Sequence, residues 1–367
     1  MRLALLTYST KPRGGVVHTL ALAEALARQG VTVDVWTLAR GGDTGFFRPV
    51  DPAVGVRAVP FADLGPDEPF GARITRSIDA LATAFGPARS AYDVVHAQDC
   101  LSANAALRSG PCVRTVHHLD TFTTPELVAC HERAVVDPGA LVCVSAAVAG
   151  EVEAGWSREP TVIPNGVAAA CFAAAADDEM GRLRWRRRLG RYVLAVGGIE
   201  PRKGTLDLLE AYSLLRAEQP DVRLVLAGGE TLFDHRAYRA AFEVRAAELD
   251  VRPEVLGVVD DAALPSLVAE AAALAFVSTQ EGFGLAALEA LAAGTPVVAR
   301  HLPVLREVLG DAVEYAVDPA SISAALGRVL DDRPDPAPGQ ALARGFTWAA
   351  AAQAHRDFYA GLGRQED

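Results

Sequence analysis

The sequence predicts an α/β protein in which two doubly wound, parallel-sheet domains follow one another along the chain. The chain has 367 residues, about twice the length of an ordinary domain. Short β-branched runs alternate with Ala- and Leu-rich helical segments in both halves. The runs are apolar throughout, which suits strands buried on both faces of a parallel sheet. This alternation, carried through both halves, predicts two doubly wound domains.

The predicted elements follow the chain in order. In the first half we expect strands at 2–8, 31–37, 93–97, 112–117, 140–145 and 161–163. In the second half we expect strands at 191–197, 222–227, 254–256, 274–277, 296–299 and 312–315. The first helix, 17–29, has Leu22 and Leu26 on one face and ends at Gly30, a typical helix stop.

A turn sequence, PNG at residues 164–166, predicts the domain boundary. An Ala-rich stretch that we expect to be weakly structured follows it, and Asp178 then caps the next helix. The first domain is therefore expected over 1–166 and the second over 167–345.

Near the C terminus, residues 331–339 contain three prolines and are expected to be irregular. The last helix is expected at 348–362, after this irregular connection.

The charge and hydropathy of the chain exclude several classes of protein. A formal net charge of -11 excludes a general nucleic-acid binder and gives no bulk attraction to anionic membranes. No apolar run reaches the roughly 18 residues of a membrane-spanning helix, and the N-terminal MRLALLTYST is typical of a strand rather than a secretory signal. We therefore expect a cytoplasmic protein. Residues 181–190 carry five arginines around Trp185; an exposed helix is expected, with an anion or peripheral membrane patch as the alternative.

The cysteines and histidines do not have the spacing of a metal site. The five cysteines are odd in number and lack C-x-x-C spacing, so we expect buried free thiols. No H-x-x-x-H pair or H-E-x-x-H motif occurs, and no D-x-D run ends a strand. The sequence therefore predicts no metal and no other cofactor.

The loop after the first strand contains Gly14 and Gly15 at the start of a helix. Glycines at the carboxyl end of a parallel strand let backbone amides approach a phosphate, which a helix N-terminus attracts. Neither the G-x-G-x-x-G fingerprint nor the G-K-[ST] of a Walker loop is present. A phosphate loop and a plain tight turn are both consistent with this pair.

The corresponding loop of the second half, EPRKG, places Arg202 and Lys203 just before Gly204 and a helix. Two cations at a helix N-terminus oppose the macrodipole, so their placement favours an anion there. Lys203 is also one of only two lysines, with Lys11, in an arginine-rich chain. The sequence therefore predicts a phosphate site at this loop.

The segment EGFGLAALEALAAGTPVV is the most informative one. Glu281 precedes Phe283, Gly284 and Leu285, where a helix begins, and Glu289 follows in that helix. Loop amides can hold a phosphate while carboxylates accept hydrogen bonds from hydroxyls, a combination that suits a sugar nucleotide. The alternative is that both glutamates simply stabilise the N-terminal turns of the helix.

His117 and His118 end one predicted strand and His96 ends another, so their side chains are expected at the ligand crevice of the sheet. His117 is the strongest functional candidate of the three. The remaining histidines are expected to be surface or packing residues: His18, His131, His235, His301 and His355.

Taken together, these motifs resemble the retaining glycosyltransferases of family 4, which have the GT-B fold. The resemblance covers nearly the whole chain and rests on the Gly-Gly loop, RTVHHL, IPNGV at residues 163–167, EPRKG and the E-x7-E signature of the long segment. It implies two Rossmann-like domains that face each other across a cleft. It also implies that the C-terminal segment, 346–367, packs back on the first domain.

The resemblance further implies a nucleotide-diphosphate-sugar donor held mainly by the second domain. Lys203 and Arg202 would meet the diphosphate, Glu281 the donor sugar and Glu289 the ribose hydroxyls. The amides near Phe283, Gly284 and Leu285 would address phosphate or sugar.

In the first domain, Gly14 and Gly15 would face the diphosphate, and His117 would bond the donor sugar near the reaction centre. His117 and Glu281 are thus the expected catalytic residues. The acceptor hydroxyl is expected on the first domain, near Lys11, Arg13, Gln98 and Asp99.

Two positions depart from the family pattern. Gly198 stands where many relatives have an arginine on the phosphates, so Arg202 would have to do more of that work. Ala168 stands where the hinge often has an aspartate.

The leading hypothesis is a metal-independent retaining hexosyltransferase that uses a UDP- or GDP-sugar. The sequence assigns no oligomeric state. The alternatives are a non-catalytic nucleotide-sugar binding protein, a phosphorylase or epimerase on the same architecture, and a nicotinamide-dependent dehydrogenase. The missing G-x-G-x-x-G disfavours the dehydrogenase.

Overall fold

The computed structural model describes residues 1–42, 44–62, 65, 68–229 and 235–362. The chain forms two compact units. Unit 1 comprises Met1–Gly166 with Thr347–Asp367, and unit 2 comprises Val167–Phe346.

Unit 1 contains a parallel sheet of seven described strands. The strands are β1 (Arg2–Leu6), β2 (Thr32–Arg40), β3 (Val54–Phe61), β4 (Val94–Ala97), β5 (Val113–Val116), β6 (Ala140–Cys143) and β7 (Thr161–Val162). Their order is β3-β2-β1-β4-β5-β6-β7, and every pairing is parallel. The chain therefore winds outward from β1 in one direction and from β4 in the other, and the switch point between them is where such sheets bind ligands.

Helices connect these strands. They are α1 (Gly14–Arg28), α2 (Phe70–Phe85), α3 (Cys100–Leu107), α4 (Pro125–Val136) and α5 (Ala146–Trp156). Helix α1 begins three residues earlier than predicted, and the positive φ of Gly30 lies just beyond its end.

Unit 2 repeats the arrangement with six described parallel strands. The strands are β8 (Arg191–Val196), β9 (Val222–Ala227), β10 (Glu254–Gly257), β11 (Ala273–Phe276), β12 (Val297–Arg300) and β13 (Glu314–Ala316). The helices are α6 (Ala169–Asp177), α7 (Glu179–Leu189), α8 (Thr205–Glu218), α9 (Arg236–Glu248), α10 (Leu264–Glu270), α11 (Leu285–Ala292), α12 (Pro303–Leu309), α13 (Pro319–Asp332) and α14 (Ala337–Gly345). The strand order β10-β9-β8-β11-β12-β13 puts its switch point between β8 and β11.

The last helix, α15 (Trp348–Leu362), belongs to unit 1. Its Ala352 and Tyr359 join Leu22 and Leu26 of α1 in one apolar cluster against the first strands of the sheet. The core of unit 2 is built in the same way, from α8 and α13 against the faces of β8, β9 and β11.

The twelve predicted strands all occur, with small shifts at their ends, but β3 was not predicted. It is an edge strand with several exposed side chains, and it contains Gly55 and Pro60, which weaken the strand signal. Proline is tolerated at an edge because its missing N–H can face solvent.

Three other predictions need correction. The Ala-rich stretch is not weakly structured, because it forms α6, as the high helix propensity of alanine allows. The irregular connection is shorter than predicted, since α13 continues to Asp332 and α14 begins at Ala337. Of the five free thiols, Cys171 is exposed and Cys100 only half-buried. The predicted cap is confirmed, with Asp178 accepting from the Gly181 amide at 3.0 Å.

Candidate functional site

The predicted site residues lie near the carboxyl ends of the strands that flank the two switch points or, for His117, of the next strand in the sheet. In unit 1, Gly14 follows β1, Gln98 follows β4 and His117 follows β5. In unit 2, the loop 197–204 follows β8 and the loop 277–284 follows β11. Each unit therefore presents its candidates at the edge of the sheet where doubly wound folds bind ligands.

An ion pair joins the two loops of unit 2. Lys203 Nζ donates to Glu281 Oε1 at 2.6 Å, and Arg202 Nη1 donates to the same oxygen at 3.3 Å. The sequence predicts both partners as ligand contacts, but it does not predict that they pair with each other. The loops are also joined through their backbones, because the Thr279 amide donates to the Arg202 carbonyl at 2.8 Å.

This pairing decides the charge of Glu281. Burial would raise the pKa of its carboxyl, but the charges of Lys203 and Arg202, with a hydrogen bond from Ser278, outweigh burial and bring the pKa to about 2. Glu281 is therefore a carboxylate at any physiological pH. It retains acceptor capacity for sugar hydroxyls beside two cations that suit a diphosphate.

A second carboxylate, Glu200, lies behind Arg202. Its side chain is 8% exposed, and Arg202 Nη2 lies 3.5 Å from its Oε1. Sequence reasoning did not single out Glu200, although it lies within EPRKG. The two cations, Lys203 and Arg202, therefore lie near two carboxylates, one in each loop. The guanidinium of Arg202 is shared between Glu200 and Glu281.

Gly204 permits the close approach of the two loops. Its φ of +62° is left-handed, and a Cβ there would lie 2.4 Å from the carbonyl oxygen of Val277. Only glycine satisfies both constraints without strain. Lys203, which precedes Gly204, is thereby held next to the loop that carries Glu281.

Helices α8 and α11 both begin at these loops without a side-chain N-cap. Gly204 and Gly284 occupy the two cap positions with positive φ, as tight turns into helices require. Leu285 is the first residue of α11, and the Phe283 side chain is buried against Phe346, with ring centroids 5.4 Å apart. The backbone of this turn, rather than the Phe283 ring, is therefore the part suited to an anion.

Glu289 lies on the fifth position of α11 and is half-buried. Burial and then the charge of Asp261 raise the pKa of its carboxyl to about 8. Glu289 is therefore largely protonated at neutral pH, so it can donate a hydrogen bond as well as accept one. The two glutamates of the E-x7-E pattern thus differ in charge.

A steric constraint in this chain explains why residue 198 is a glycine rather than the arginine of many relatives. A Cβ at Gly198 would lie 2.5 Å from the Gly229 carbonyl oxygen, and a Cβ at Gly228 would lie 2.2 Å from the Gly197 carbonyl carbon. Two glycine pairs at the ends of β8 and β9 therefore pack backbone to backbone. An arginine at 198 would require this backbone to move.

In unit 1, Gly14 and Gly15 are the first two residues of α1, whose cap residue Arg13 makes no side-chain cap hydrogen bond. A Cβ on Gly15 would lie 3.4 Å from Cδ2 and 3.6 Å from Nε2 of His117. Gly15 therefore leaves room for one edge of the His117 ring beside the start of the helix.

His117 is half-buried, and its Nε2 has no hydrogen-bond partner among the residues described. Burial lowers the pKa of His117 well below its usual value, and electrostatic interaction with His18 and Arg114 acts in the same direction. The imidazole is therefore neutral at physiological pH. Its Nε2 can make one hydrogen bond with a ligand while the ring stays uncharged.

The structure does not support the other strand-end histidines as ligand contacts. His96 is fully buried, and its two ring nitrogens bond the Tyr359 hydroxyl and Thr115 Oγ1, each at 2.7 Å. The expectation that His96 points into the crevice is therefore wrong, because its hydrogen-bonding groups are used inside the core. His118 Nε2 pairs with Asp120 Oδ2 at 2.9 Å.

The candidate acceptor residues differ in what they contact. Lys11 is exposed, whereas Arg13 lies over the Tyr8 ring and donates to its hydroxyl. Gln98 is 1% exposed, and neither atom of its amide has a partner in the described part of the chain. Asp99 caps α3 in a capping box with Ser102 and accepts from the Tyr8 amide at 3.0 Å. The carboxylate of Asp99 therefore has a structural task.

Sequence reasoning missed His18 and Asn165 as neighbours of the site. His18 Nδ1 lies 2.8 Å from Asn165 Oδ1, and its ring centroid lies 4.7 Å from that of His117. Residues 18 and 165 are far apart in sequence, so no local pattern could have paired them. Asn165 lies in the IPNGV segment, whose motif was the only available signal.

The described residues contain no group of three or more His, Cys, Asp or Glu side chains arranged to hold a metal ion. They also contain no helix with the length and hydropathy needed to cross a bilayer.

Two family models match the chain. The one described as "Glycosyl transferases group 1" matches residues 186–338, and the one described as "Glycosyltransferase Family 4" matches residues 12–170.

Similar proteins cover almost the whole chain. The D-inositol 3-phosphate glycosyltransferase of Salinispora tropica is 30% identical over 98% of this chain and 85% of its own. The phosphatidyl-myo-inositol mannosyltransferase of Mycobacterium tuberculosis is 30% identical over 96% of this chain and 94% of its own.

Solved structures share the fold at lower identity. HepE of Anabaena, in complex with UDP and glucose, has a TM-score of 0.76 and 19% identity over 98% of this chain and 100% of its own. Sucrose-phosphate synthase of Thermosynechococcus elongatus has a TM-score of 0.75 and 21% identity over 99% of both chains.

Proposed function

As a member of glycosyltransferase family 4 with the GT-B fold, this chain is a glycosyltransferase, and we propose that it moves a hexosyl group from a UDP- or GDP-sugar to an acceptor hydroxyl, with retention and without a metal ion. The observation that carries the proposal is the cluster of Lys203, Arg202 and Glu281 in two loops that lead into uncapped helices. It combines cations for a diphosphate with an ionised acceptor for sugar hydroxyls.

The proposed chemistry follows from where charge develops. Breaking the sugar–phosphate bond leaves positive charge at the anomeric carbon and negative charge on the departing diphosphate. Lys203, Arg202 and the first amides of α8 and α11 can stabilise that negative charge, since they are fixed before the reaction begins. An incoming diphosphate would share Lys203 with Glu281, whose carboxylate then also accepts from the sugar.

On this proposal the acceptor proton passes to the leaving phosphate as the new glycosidic bond forms on the same face of the sugar. His117 contributes a neutral hydrogen bond to the donor sugar, because its imidazole stays uncharged. No second carboxylate at the separation of a hydrolase pair is needed. The absence of a metal requirement stays a prediction.

The relatives suggest which substrates to test first. HepE is a protein solved with UDP and glucose, which supports a nucleotide-sugar donor. Two relatives are named for inositol-containing acceptors, so inositol 3-phosphate and phosphatidylinositol belong at the head of an acceptor panel.

The test begins with thermal unfolding of the purified protein with UDP, GDP, UDP-glucose and GDP-mannose, because a ligand of the folded state raises the melting temperature. The preferred donor is then incubated with the acceptor panel, with and without EDTA, and the anomeric configuration of the product is read by NMR. Lys203→Ala and Glu281→Ala should lower the rate of transfer by orders of magnitude. Arg187→Ala is the control, because it removes one charge from an exposed position of α7.

Each outcome separates the candidates. Full activity in both site variants would contradict the assignment, and an inverted product or loss of activity in EDTA would contradict the finer proposal. Tight donor binding without transfer would favour a non-catalytic binding protein. Release of sugar 1-phosphate in phosphate buffer would favour a phosphorylase, and a changed donor without acceptor would favour an epimerase.

A further inference from the structure

The imidazole of His18 is fixed in one tautomer inside unit 1. His18 is 1% exposed and Asn165 is 4% exposed, and Nδ1 of the one lies 2.8 Å from Oδ1 of the other. An amide oxygen can only accept, so the proton of the neutral ring is on Nδ1. Nε2 therefore carries the lone pair, and it has no hydrogen-bond partner within the described residues.

The His18 ring lies directly against His117. The two rings meet edge to face, with centroids 4.7 Å apart and planes at 74°. At the Cδ2–Nε2 edge of His117, a Cβ on Gly15 would lie 3.4 and 3.6 Å from the ring atoms. Gly15 and His18 are three residues apart on α1 and share one face of the helix, so the His117 ring packs against one turn of α1 at both residues.

The other ring neighbours of His18 are buried or half-buried, and they are uncharged at neutral pH. Trp348 and His355 of α15 lie with ring centroids 5.4 and 6.2 Å from that of His18, and His96 of β4 packs on His355 at 5.7 Å. Burial lowers the pKa of His18 to about 3, and that of His355 to about 4. A proton on His18 would place an unpaired charge among these rings, so the packing depends on the neutral form.

We propose that Asn165 and His18 are positioning residues for His117: Asn165 holds His18 as the neutral, Nδ1-protonated ring, and His18 in turn holds the Nε2 edge of His117 toward Gly15 and the start of α1. This inference rests on the proposed function, in which His117 bonds the donor sugar. It implies that Asn165, in the IPNGV segment, acts on the site indirectly, through the His18 ring.

Asn165→Asp is the most discriminating variant. The side chain keeps its size and an acceptor for Nδ1, but its negative charge favours a doubly protonated His18. We expect kcat to fall about tenfold or more at pH 6.5 and to recover as the pH rises to 9, with the donor KM changed less than threefold. Wild type should show no such ionisation. His18→Phe, which keeps a ring but loses both nitrogens, should lower kcat by a similar factor at every pH.

His355→Phe is the matched control, because it changes a buried imidazole of the same cluster that lies behind His18. It should lower the melting temperature while keeping kcat and its pH profile. A positioning role therefore predicts a change in kcat and pH profile that does not follow stability. If kcat in Asn165→Asp has the wild-type pH profile, or if the losses in all three variants simply follow the melting temperature, the inference is wrong.

A second measurement does not depend on the substrate. In protein labelled with ¹⁵N-histidine, the His117 ring resonances should shift in His18→Phe and Asn165→Asp and stay in place in His355→Phe. Unchanged His117 resonances in the first two variants would overturn the inference even if the enzyme is active. If wild type transfers no sugar, the proposed function fails, and these resonances still decide whether Asn165 and His18 hold His117.

Discussion

The candidate site of unit 2 is built from charges, whereas that of unit 1 is built from neutral rings. In unit 2, Lys203 and Arg202 face carboxylates at hydrogen-bonding distance, and Glu281 stays ionised. In unit 1, His117 packs against Gly15 at the start of α1 and against the His18 ring, and burial keeps its imidazole neutral. Both lie at the carboxyl edge of a parallel sheet; the unit 2 loops follow the two strands that flank the switch point, whereas His117 follows β5, one strand beyond it.

The difference shows two ways to prepare a ligand site. Paired charges create a strong electrostatic field that attracts an anion, but the carboxylates of the pairs compete with that anion for the same cations. Packed neutral rings fix geometry and offer single hydrogen bonds without attracting ions. We therefore expect the unit 2 site to respond to salt and to charge substitutions, and the unit 1 site to respond to changes of shape.

The largest expected effect comes from Lys203→Ala. Removal of the main cation of the unit 2 site should lower kcat/KM about 10³-fold, a loss of about 4 kcal/mol that is typical of a charge-stabilising group in a transition state. The increase of donor KM with ionic strength should also become weaker. Steady-state kinetics between 20 and 300 mM NaCl measure both.

The kcat/KM of Arg187→Ala should stay within twofold of the wild-type value in the same assay. A fall of less than fivefold in the kcat/KM of Lys203→Ala would show that the charges of unit 2 do not hold the donor. The contrast between the two units would then be wrong.

A smaller loss is expected from His117→Ala, where kcat should fall about 10²-fold, as for a group that contributes one oriented hydrogen bond. The salt dependence should remain that of wild type, because the lost group is neutral. His117→Asn should recover part of the activity. Since the pKa of His117 is held well below 6.5, the wild-type profile should show no ionisation of His117 between pH 5.5 and 8. If an ionisation there disappears in His117→Asn, then His117 is charged and the comparison is wrong.

Glu281→Gln should lower the stability of the ligand-free protein. The carboxylate is 11% exposed, and its loss leaves Lys203 and Arg202 without their shared partner, which costs about 2–3 kcal/mol. The folded-state pKa of about 2 lies below the ordinary value of 4.5. The stabilisation is therefore present above pH 4.5 and is lost as the pH falls from 4.5 toward 2. Urea unfolding of both proteins at pH 7 and pH 3 measures this difference.

The Glu281→Gln variant also tests whether the Glu281 carboxylate competes with a diphosphate for Lys203 and Arg202. UDP or GDP should raise the melting temperature of Glu281→Gln more than that of wild type, since Lys203 and Arg202 no longer share the Glu281 carboxylate. An equal shift in both proteins would mean that the nucleotide does not compete with Glu281.

The smallest expected effect concerns Glu289→Gln. The pKa of Glu289 is raised to about 8, so the native state binds this proton more tightly than the unfolded chain does. Wild-type stability should therefore fall as the pH rises from 4.5 to 8, by on the order of 1–2 kcal/mol for a half-buried group. Glu289→Gln should lack this decrease, which thermal unfolding across the pH range detects. A parallel pH dependence in the two proteins would show that Glu289 is already ionised.

The unit 2 site could be predicted because its signals are local. The lysine of EPRKG and the two glutamates of the E-x7-E pattern lie in short segments, and each segment joins a strand to a helix. The sequence could not show that Lys203 and Glu281 pair, because this depends on packing between loops about 80 residues apart. It could not show that Glu289 is protonated, because this depends on its burial and on the nearby Asp261.

The unit 1 site was harder to predict for the same reason. His117 was identified because it ends a strand, but its support comes from His18 and Asn165, which no local pattern connects. His96 ends a strand as well, yet it faces the core, because Tyr359 and Thr115 satisfy both of its nitrogens. Strand ends therefore indicate a location, whereas the direction of a side chain depends on the helices packed against the sheet.

The discontinuity of unit 1 has a consequence for how the protein is made. On the ribosome, residues 1–166 emerge first, but α15, which supplies Tyr359 to the core and a partner to His96, emerges last. Unit 2 is one continuous segment, so all the residues of its core are translated before α15. Unit 1 therefore acquires its last core element after unit 2, and a chain released before residue 348 would hold every core residue of unit 2 while unit 1 still exposed the apolar surface that α15 covers.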